Sequence, residues 1–195
     1  MKTKQRHKKN LARRRKVGKK VSNSVKQRKL AHMEELAPFL SIIEEEYKPI
    51  NISLYRWMHV PQNQDDYRPQ IFQESNPMCP EQLVVPPVDA PRGVILDYVS
   101  WFSLSNFVSV ESATEEWRRI LSKRISNVSE KKILAEIKKW ISKKGQYIIK
   151  VDYTPETAIV GPQDDGTHKQ ALLYSDVDVE TLIDKTFEPI KIDLS

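Results

Sequence analysis

Apolar positions recur along this chain with two periods, and each change of period marks an element. Residues 51–60 alternate: Ile52, Leu54, Arg56, Met58 and Val60 fall on one face, and Tyr55, Trp57 and His59 on the other. Neither face is plainly polar, which predicts a central strand or one floor of a pocket. Residues 146–153 alternate as well, placing Tyr147, Ile149, Val151 and Tyr153 inward on a half-buried strand. Residues 157–160 and 169–174 read as a hairpin, with Asp165-Gly166 as its turn signal. Residues 93–107 are apolar and β-prone, and read as the second strand.

A 3.6-residue period predicts helices between and before these strands. One starts near Ser109 or Ser112, where Ser112 with Glu115 makes a capping box. It buries Val110, Ala113, Trp117, Ile120 or Leu121, and Ile125. A second starts at Ser129, turns Ile133, Leu134, Ile137, Trp140 and Ile141 to one side, and stops at Gly145. Residues 31–47 read as helix divided at Pro38, residues 176–187 as a short helix, and residues 190–194 as a last strand. Residues 61–92 hold seven of the twelve prolines and form a long extended loop. The order predicts an α+β fold: a single compact domain with a mainly antiparallel or mixed sheet and flanking helices.

Charge changes the picture at the N-terminus. Residues 1–30 hold 14 of the 32 Lys and Arg and no Asp or Glu. In residues 31–195 the other 18 basic residues face all 26 acids, a net −8 that the overall +6 conceals. Fourteen cations cannot be desolvated together without partners, so the arm is solvated or bound to a polyanion. Candidate polyanions are nucleic acid, an anionic membrane surface and the chain's own acidic body. The densest clusters are Lys8-Lys9, Arg13-Arg14-Arg15-Lys16 and Lys19-Lys20. Val17, Val21 and Val25 recur every fourth residue, which suits an arm that is helical, or disordered until a partner orders it. An acid-free arm also fits an organellar transit peptide, but its lysine richness and few serines favour nucleic acid. A membrane role is weaker, because the apolar face carries valines and no Trp or Phe.

The lone Cys79 excludes an internal disulfide framework and reads as cytoplasmic usage. No apolar run is long enough to span a bilayer. Asp164, Asp165 and His168 are metal-capable, yet no second cluster completes a site, so no metal is expected. A Gly-rich phosphate loop, a His-Glu-x-x-His motif and a Gly-x-Ser-x-Gly motif are all absent.

Arg56 is the sharpest single residue. A guanidinium in an apolar strand row either pairs with an internal acid or clamps an anion such as phosphate. Tyr55, Trp57 and His59 opposite it read as core or as a stacking row. Ser103 and Ser105, flanking Leu104, either end a strand or position a ligand. With Tyr55, Arg56 and His168 they make up the candidate ligand pocket.

The order Leu54-Tyr55-Arg56, Asp65-Asp66-Tyr67-Arg68-Pro69, Trp101-Phe102-Ser103-Leu104-Ser105, Ser109 to Ala113 and Gly166-Thr167-His168 resembles certain small bacterial proteins similar to ADP-ribosyltransferase-like toxin domains. The resemblance covers about residues 52–175 and excludes the arm. It implies a dinucleotide pocket for NAD, with Arg56 on a phosphate and Ser103 or Ser105 as the pocket serine. The glutamate that active members use to orient the ribose has no match: Glu180 is late enough in the chain but reads as helical. Three expectations follow. The first is a nucleic-acid-associated protein, RNA or DNA, whose arm binds phosphates and whose body makes partner or ligand contacts, with no cofactor. The second is an NAD-binding, toxin-type domain. The third is a structural component of a ribonucleoprotein assembly.

Overall fold

The computed structural model describes residues 28–74, 82–162 and 166–194. Six strands form one antiparallel sheet in the order β4-β5-β2-β1-β3-β6. They are β1 (Ile52–Met58), β2 (Leu104–Phe107), β3 (Tyr147–Tyr153), β4 (Ala158–Gly161), β5 (His168–Leu173) and β6 (Ile190–Lys191). The helices are α1 (Met33–Leu36), α2 (Leu40–Glu46), α3 (Arg92–Ser100), α4 (Val110–Ile125) and α5 (Glu130–Lys144). The α+β class is therefore observed, and β1 is central. No helix of the described residues is long and apolar enough to cross a membrane.

Period two puts Leu54 and Met58 with Ile149, Val151 and Tyr153 on one face of the sheet, closed over by Val179 and Leu182. The other face carries Phe107 and Ile148, with Tyr55 and Trp57 beside them, under Ala113, Trp117 and Leu121 of α4 and Trp140 of α5. A third cluster gathers Leu36, Phe39, Ile43, Ile95, Tyr98 and Val99 from α1–α3 and the short 3-10 turn Ala37–Phe39 over Leu172. Leu172 shares a face of β5 with His168 and Gln170, so this layer and the α4–α5 layer lie on the same side of the sheet. The space between them is the cleft described below.

Several expectations are corrected. Residues 93–107 are not one strand: α3 takes the first part and only Leu104–Phe107 is β. Ile95, Tyr98, Val99 and Phe102 are spaced i, i+3, i+4, i+7, so their burial against α1 and α2 selects the helix over local β preference. The cap of α4 is Ser109, which exchanges backbone and side-chain hydrogen bonds with Ser112 at 3.1 and 3.2 Å; Ser112 is the partner, not the cap. Leu134 is 63% exposed, because α5 packs through Trp140 and the half-buried Ile137 and Ile141 instead. Residues 176–187 form only the 3-10 turn Val179–Leu182, and the last strand is two residues long. The strand β3 is covered on both faces, since Ile148 is as buried as Ile149. The hairpin expected at residues 157–174 is present as β4–β5, and its turn residues Asp164 and Asp165 lie outside the described residues.

The chain enters this body at Arg28, ion-paired with Asp176 at 2.9 Å, and Leu30, which is buried and bridged to Tyr174. The division at Pro38 is observed, with Pro38 opening the 3-10 turn that joins α1 to α2.

Gly145 ends α5 with φ 72°, the left-handed region that favours glycine. A Cβ there would sit 2.1 Å from the Met58 carbonyl oxygen, a backbone atom with no room to move. Replacing Gly145 by alanine is expected to cost roughly 2–4 kcal/mol. Urea unfolding should show a lower midpoint at unchanged slope, and an unaltered midpoint would refute this reading of the contact.

Candidate functional site

The strand β1 pairs with β3 along all seven residues, from Ile52↔Tyr153 to Met58↔Tyr147. With β2 it keeps one register pair, Tyr55↔Phe107. Beyond that pair the two strands part. Neighbouring residues of a strand point to opposite faces, so a cavity reaching both Arg56 and Trp57 has to run through this gap. The cavity is about 1000 Å³ and is walled by β1, the ends of α3 and α5, the first half of α4, β2 and β5. That volume suits a nucleotide-sized ligand.

Arg56 is only 6% exposed, on the apolar row that the alternation predicted. Its guanidinium lies against the fully buried Tyr153 hydroxyl, which donates to Asn106 Oδ1 at 2.9 Å. Burial raises the pKa of that hydroxyl, and the charge of Arg56 and the hydrogen bonds that the hydroxyl shares with Asn106 and Arg56 act the other way. Even so, Nε and Nη1 of Arg56 have no hydrogen-bond partner. No ion pair among the described residues involves Arg56. A buried cation with two unused donors is costly to keep unless something anionic arrives to fill them.

Two lysines from the last turn of α5 join it. Burial pushes Lys144 down to about 8, helped by the charges of Lys143, Arg56 and Arg124 and opposed by Asp65. Lys143 is lowered by burial and by Arg124 and Lys139. Lysines at a helix C-terminus are favoured by the helix dipole, which offsets part of their mutual repulsion. Asp65, Asp97 and Glu115 line the same cavity, and two further carboxylates of its wall are engaged elsewhere. Asp66 accepts from the backbone N–H groups of His59 and Asn63 at 3.1 and 2.9 Å and meets the His59 ring at 2.9 Å. Glu116 takes both nitrogens of Arg119 at 2.6 Å.

The aromatic part of the wall is Trp57, Phe107 and Trp140. Trp57 is fixed by a hydrogen bond from Nε1 to the Ala113 carbonyl at 2.9 Å and by Phe107 at 4.8 Å between ring centres. On the β2–β5 side, Ser105 Oγ meets His168 Nε2 at 2.5 Å. Ser103 is buried and reaches the Ser100 carbonyl at 2.8 Å and Gln170 Oε1 at 2.5 Å, so it works as a strap between α3 and β5.

Of the expected pocket, Arg56, Ser103, Ser105 and His168 line the cleft. Tyr55 does not: it packs edge-on against Phe187 at 5.7 Å, beside the α4–α5 core. Glu180 is an exposed residue of the 3-10 turn Val179–Leu182 and is not part of the cleft wall. The arm cations Lys8, Lys9, Arg13, Arg14, Arg15, Lys16, Lys19 and Lys20, and Cys79, lie outside the described residues. Residues that the sequence did not single out are Lys143, Lys144 and Gln170; the Lys143-Lys144-Gly145 end of a helix is the one local signal for the lysines. Trp57, expected as core or as part of a stacking row, and Trp140, expected on the buried side of its helix, serve both core and cleft. No protein-family model matches the chain, and comparison with curated proteins and with solved structures gives no match.

Lys144 generates a pH prediction. Its folded value near 8 lies below its ordinary value of 10.5, so between about pH 8 and 10 the unfolded chain binds more protons. Stability contributed through this group therefore rises with pH across that window. Relative to Lys144→Met, the wild type should gain about 2 kcal/mol from pH 8 to pH 10. Parallel pH profiles of the two proteins in urea unfolding would count against a desolvated Lys144.

Proposed function

We propose that this chain binds phosphate-bearing partners twice over: its body takes a small phosphorylated ligand in the cleft, and its arm grips nucleic-acid backbone. The first part is carried by Arg56, whose buried guanidinium keeps two nitrogens for a ligand at the bottom of a cavity of nucleotide size. The forked donors of Arg suit phosphate oxygens, and Lys143 and Lys144 add charge beside them. Trp57 and Trp140 offer apolar surface to the rest of the ligand. NAD is one candidate within this class. The ADP-ribosyl transfer suggested by the resemblance lacks a carboxylate at the Glu180 position, so ligand binding is the reading favoured over transfer.

The test uses the intrinsic fluorescence of Trp57 and Trp140 with pyrophosphate, ADP and NAD as titrants. At least one should quench with saturation, and Arg56→Gln should weaken it roughly tenfold or more, as loss of charge-assisted hydrogen bonds implies. Arg56→Met should lose binding while the apo protein becomes as stable or more stable, because an unpaired buried cation has been removed. Unfolding of Arg56→Met would instead make Arg56 a structural residue, and no saturation at millimolar ligand would end the proposal.

The second part is favoured by the arm's 14 cations without an acid, against a body of net −8. Such binding is electrostatic and largely independent of sequence, and RNA and DNA both qualify, alone or within a ribonucleoprotein. Neutralising Arg13, Arg14, Arg15, Lys16, Lys19 and Lys20 to glutamine in the full chain leaves Leu30 and its packing intact. If those six engage phosphates, the log–log salt slope of nucleic-acid affinity should become shallower by about 5. An unchanged slope would remove the arm from nucleic-acid binding.

A further inference from the structure

We propose that Ser105 and His168 form a nucleophile–base pair that cleaves a phosphoester held in the cleft; this rests on the phosphate-ligand reading above. The strands β2 and β5 pair in the register Ser105↔Gln170 and Phe107↔His168, which sets Ser105 and His168 as diagonal neighbours on one face. Ser105 Oγ is 2.5 Å from His168 Nε2, the hydrogen-bonded distance that base activation of a serine requires. The two residues are 63 apart in sequence, so their meeting is a product of strand register alone.

Three further observations set this pair apart from an ordinary surface contact. The His168 ring rests on Phe107 at 5.2 Å between centres, which fixes its plane. The carboxylate of Glu116, also in the cleft wall, is held low mainly by its Arg119 hydrogen bond and in smaller part by the charge of His168. A negative group thus stands within reach of an imidazolium at His168. Finally, Ser105 is exposed to the cleft, whereas its neighbour Ser103 is buried and tied to Ser100 and Gln170. Of the two serines, only Ser105 presents its oxygen to a ligand.

The chemistry balances with water as the sole co-reactant. His168, protonated at Nδ1, accepts the Ser105 hydroxyl proton at Nε2 as Oγ forms a bond to phosphorus. The bond from phosphorus to the leaving oxygen breaks, and His168 returns the proton to that oxygen. Water then gives a proton to His168 and attacks the phosphoseryl group; Oγ leaves and recovers its proton. Arg56, Lys143 and Lys144, from the β1–α5 wall of the same cleft, supply positive charge for the phosphoryl oxygens.

The deciding experiment is labelling of the full chain with a fluorophosphonate, in which Oγ–phosphorus bond formation expels fluoride. It is run beside hydrolysis of p-nitrophenyl phosphate, bis(p-nitrophenyl) phosphate and a short oligonucleotide. Mass spectrometry should place the label on Ser105 and leave Ser103 unmodified. Ser105→Ala should abolish labelling and His168→Gln should slow it by about a hundredfold or more. Wild-type melting of both variants confirms that chemistry and not folding was lost, and Ser105→Thr provides a second hydroxyl at the position if the alanine variant melts early. Turnover of a p-nitrophenyl ester alone points to small phosphoesters, and turnover of the oligonucleotide to nucleic acid; either supports the proposal. No label on Ser105, or equal labelling of His168→Gln, overturns the dyad. Labelling that depends on His168, without turnover of any phosphoester and without phosphate binding, overturns the substrate class and with it the phosphate-ligand reading.

Discussion

The cleft depends on the place where β1 stops pairing with β2. A fully paired sheet would bury the apolar row of β1 against its neighbours and leave no volume at Arg56. Here β1 is held along its whole length by β3 and by a single pair on the β2 side. The free edge of β1 then borders open space, and both Arg56 and Trp57 reach it from opposite faces of one strand. The tether that sets how far the strands separate is packing: Trp57 is tied to α4 through the Ala113 carbonyl, and the end of α5 is seated on Met58 at Gly145.

Charge then does what the gap allows. Three cations, Arg56, Lys143 and Lys144, converge on a partly buried volume and raise one another's cost, as the depressed pKa of Lys144 records. Two of the carboxylates in the wall are committed, Asp66 to the turn at Asn63 and Glu116 to Arg119, while Asp65 opposes the lowering of Lys144. The cleft wall as a whole carries Arg56, Arg119, Lys143 and Lys144 against Asp65, Asp66, Asp97, Glu115 and Glu116, so the positive charge is local to the β1–α5 end of the cavity. The β2–β5 wall carries a different chemistry, a hydroxyl and an imidazole placed together by strand register. In the function proposed above, the cations hold a phosphoryl group and the pair attacks it from the other side of one space.

Much of this was legible along the chain, and the failures have a common cause. The faces of β1 were read correctly because period two is a local property, and Arg56 stood out because an ion in an apolar row violates a local rule. Gly145 was read as a helix stop for the same reason. Residues 93–107 were misread because Ile95, Tyr98 and Val99 satisfy a helical stripe as well as β preference, and only the partner layer of α1 and α2 decides between them. Tyr55, expected in the pocket, is outside it because Phe187 packs against its ring, while Trp57 on the same face of β1 reaches the gap. Lys143 and Lys144 carry no local signal beyond their place at a helix end, and only the end of β1 laid beside them makes them part of the cleft.

What the sequence by itself determined is the α+β class, the two faces of β1, the stop of α5 at Gly145 and the segregation of an acid-free basic stretch from an acidic remainder. These follow from periodicity, capping and composition, all of which act over a few residues. Only the tertiary structure decided that Arg56 has no ion-paired acid among the described residues, that the α5 lysines share its cleft, and that Ser105 meets His168. Those facts depend on strand order and register, which bring together groups from β1, β2, α5 and β5. Register in turn is fixed by the summed packing of the sheet's two faces, a quantity that no short window of sequence contains.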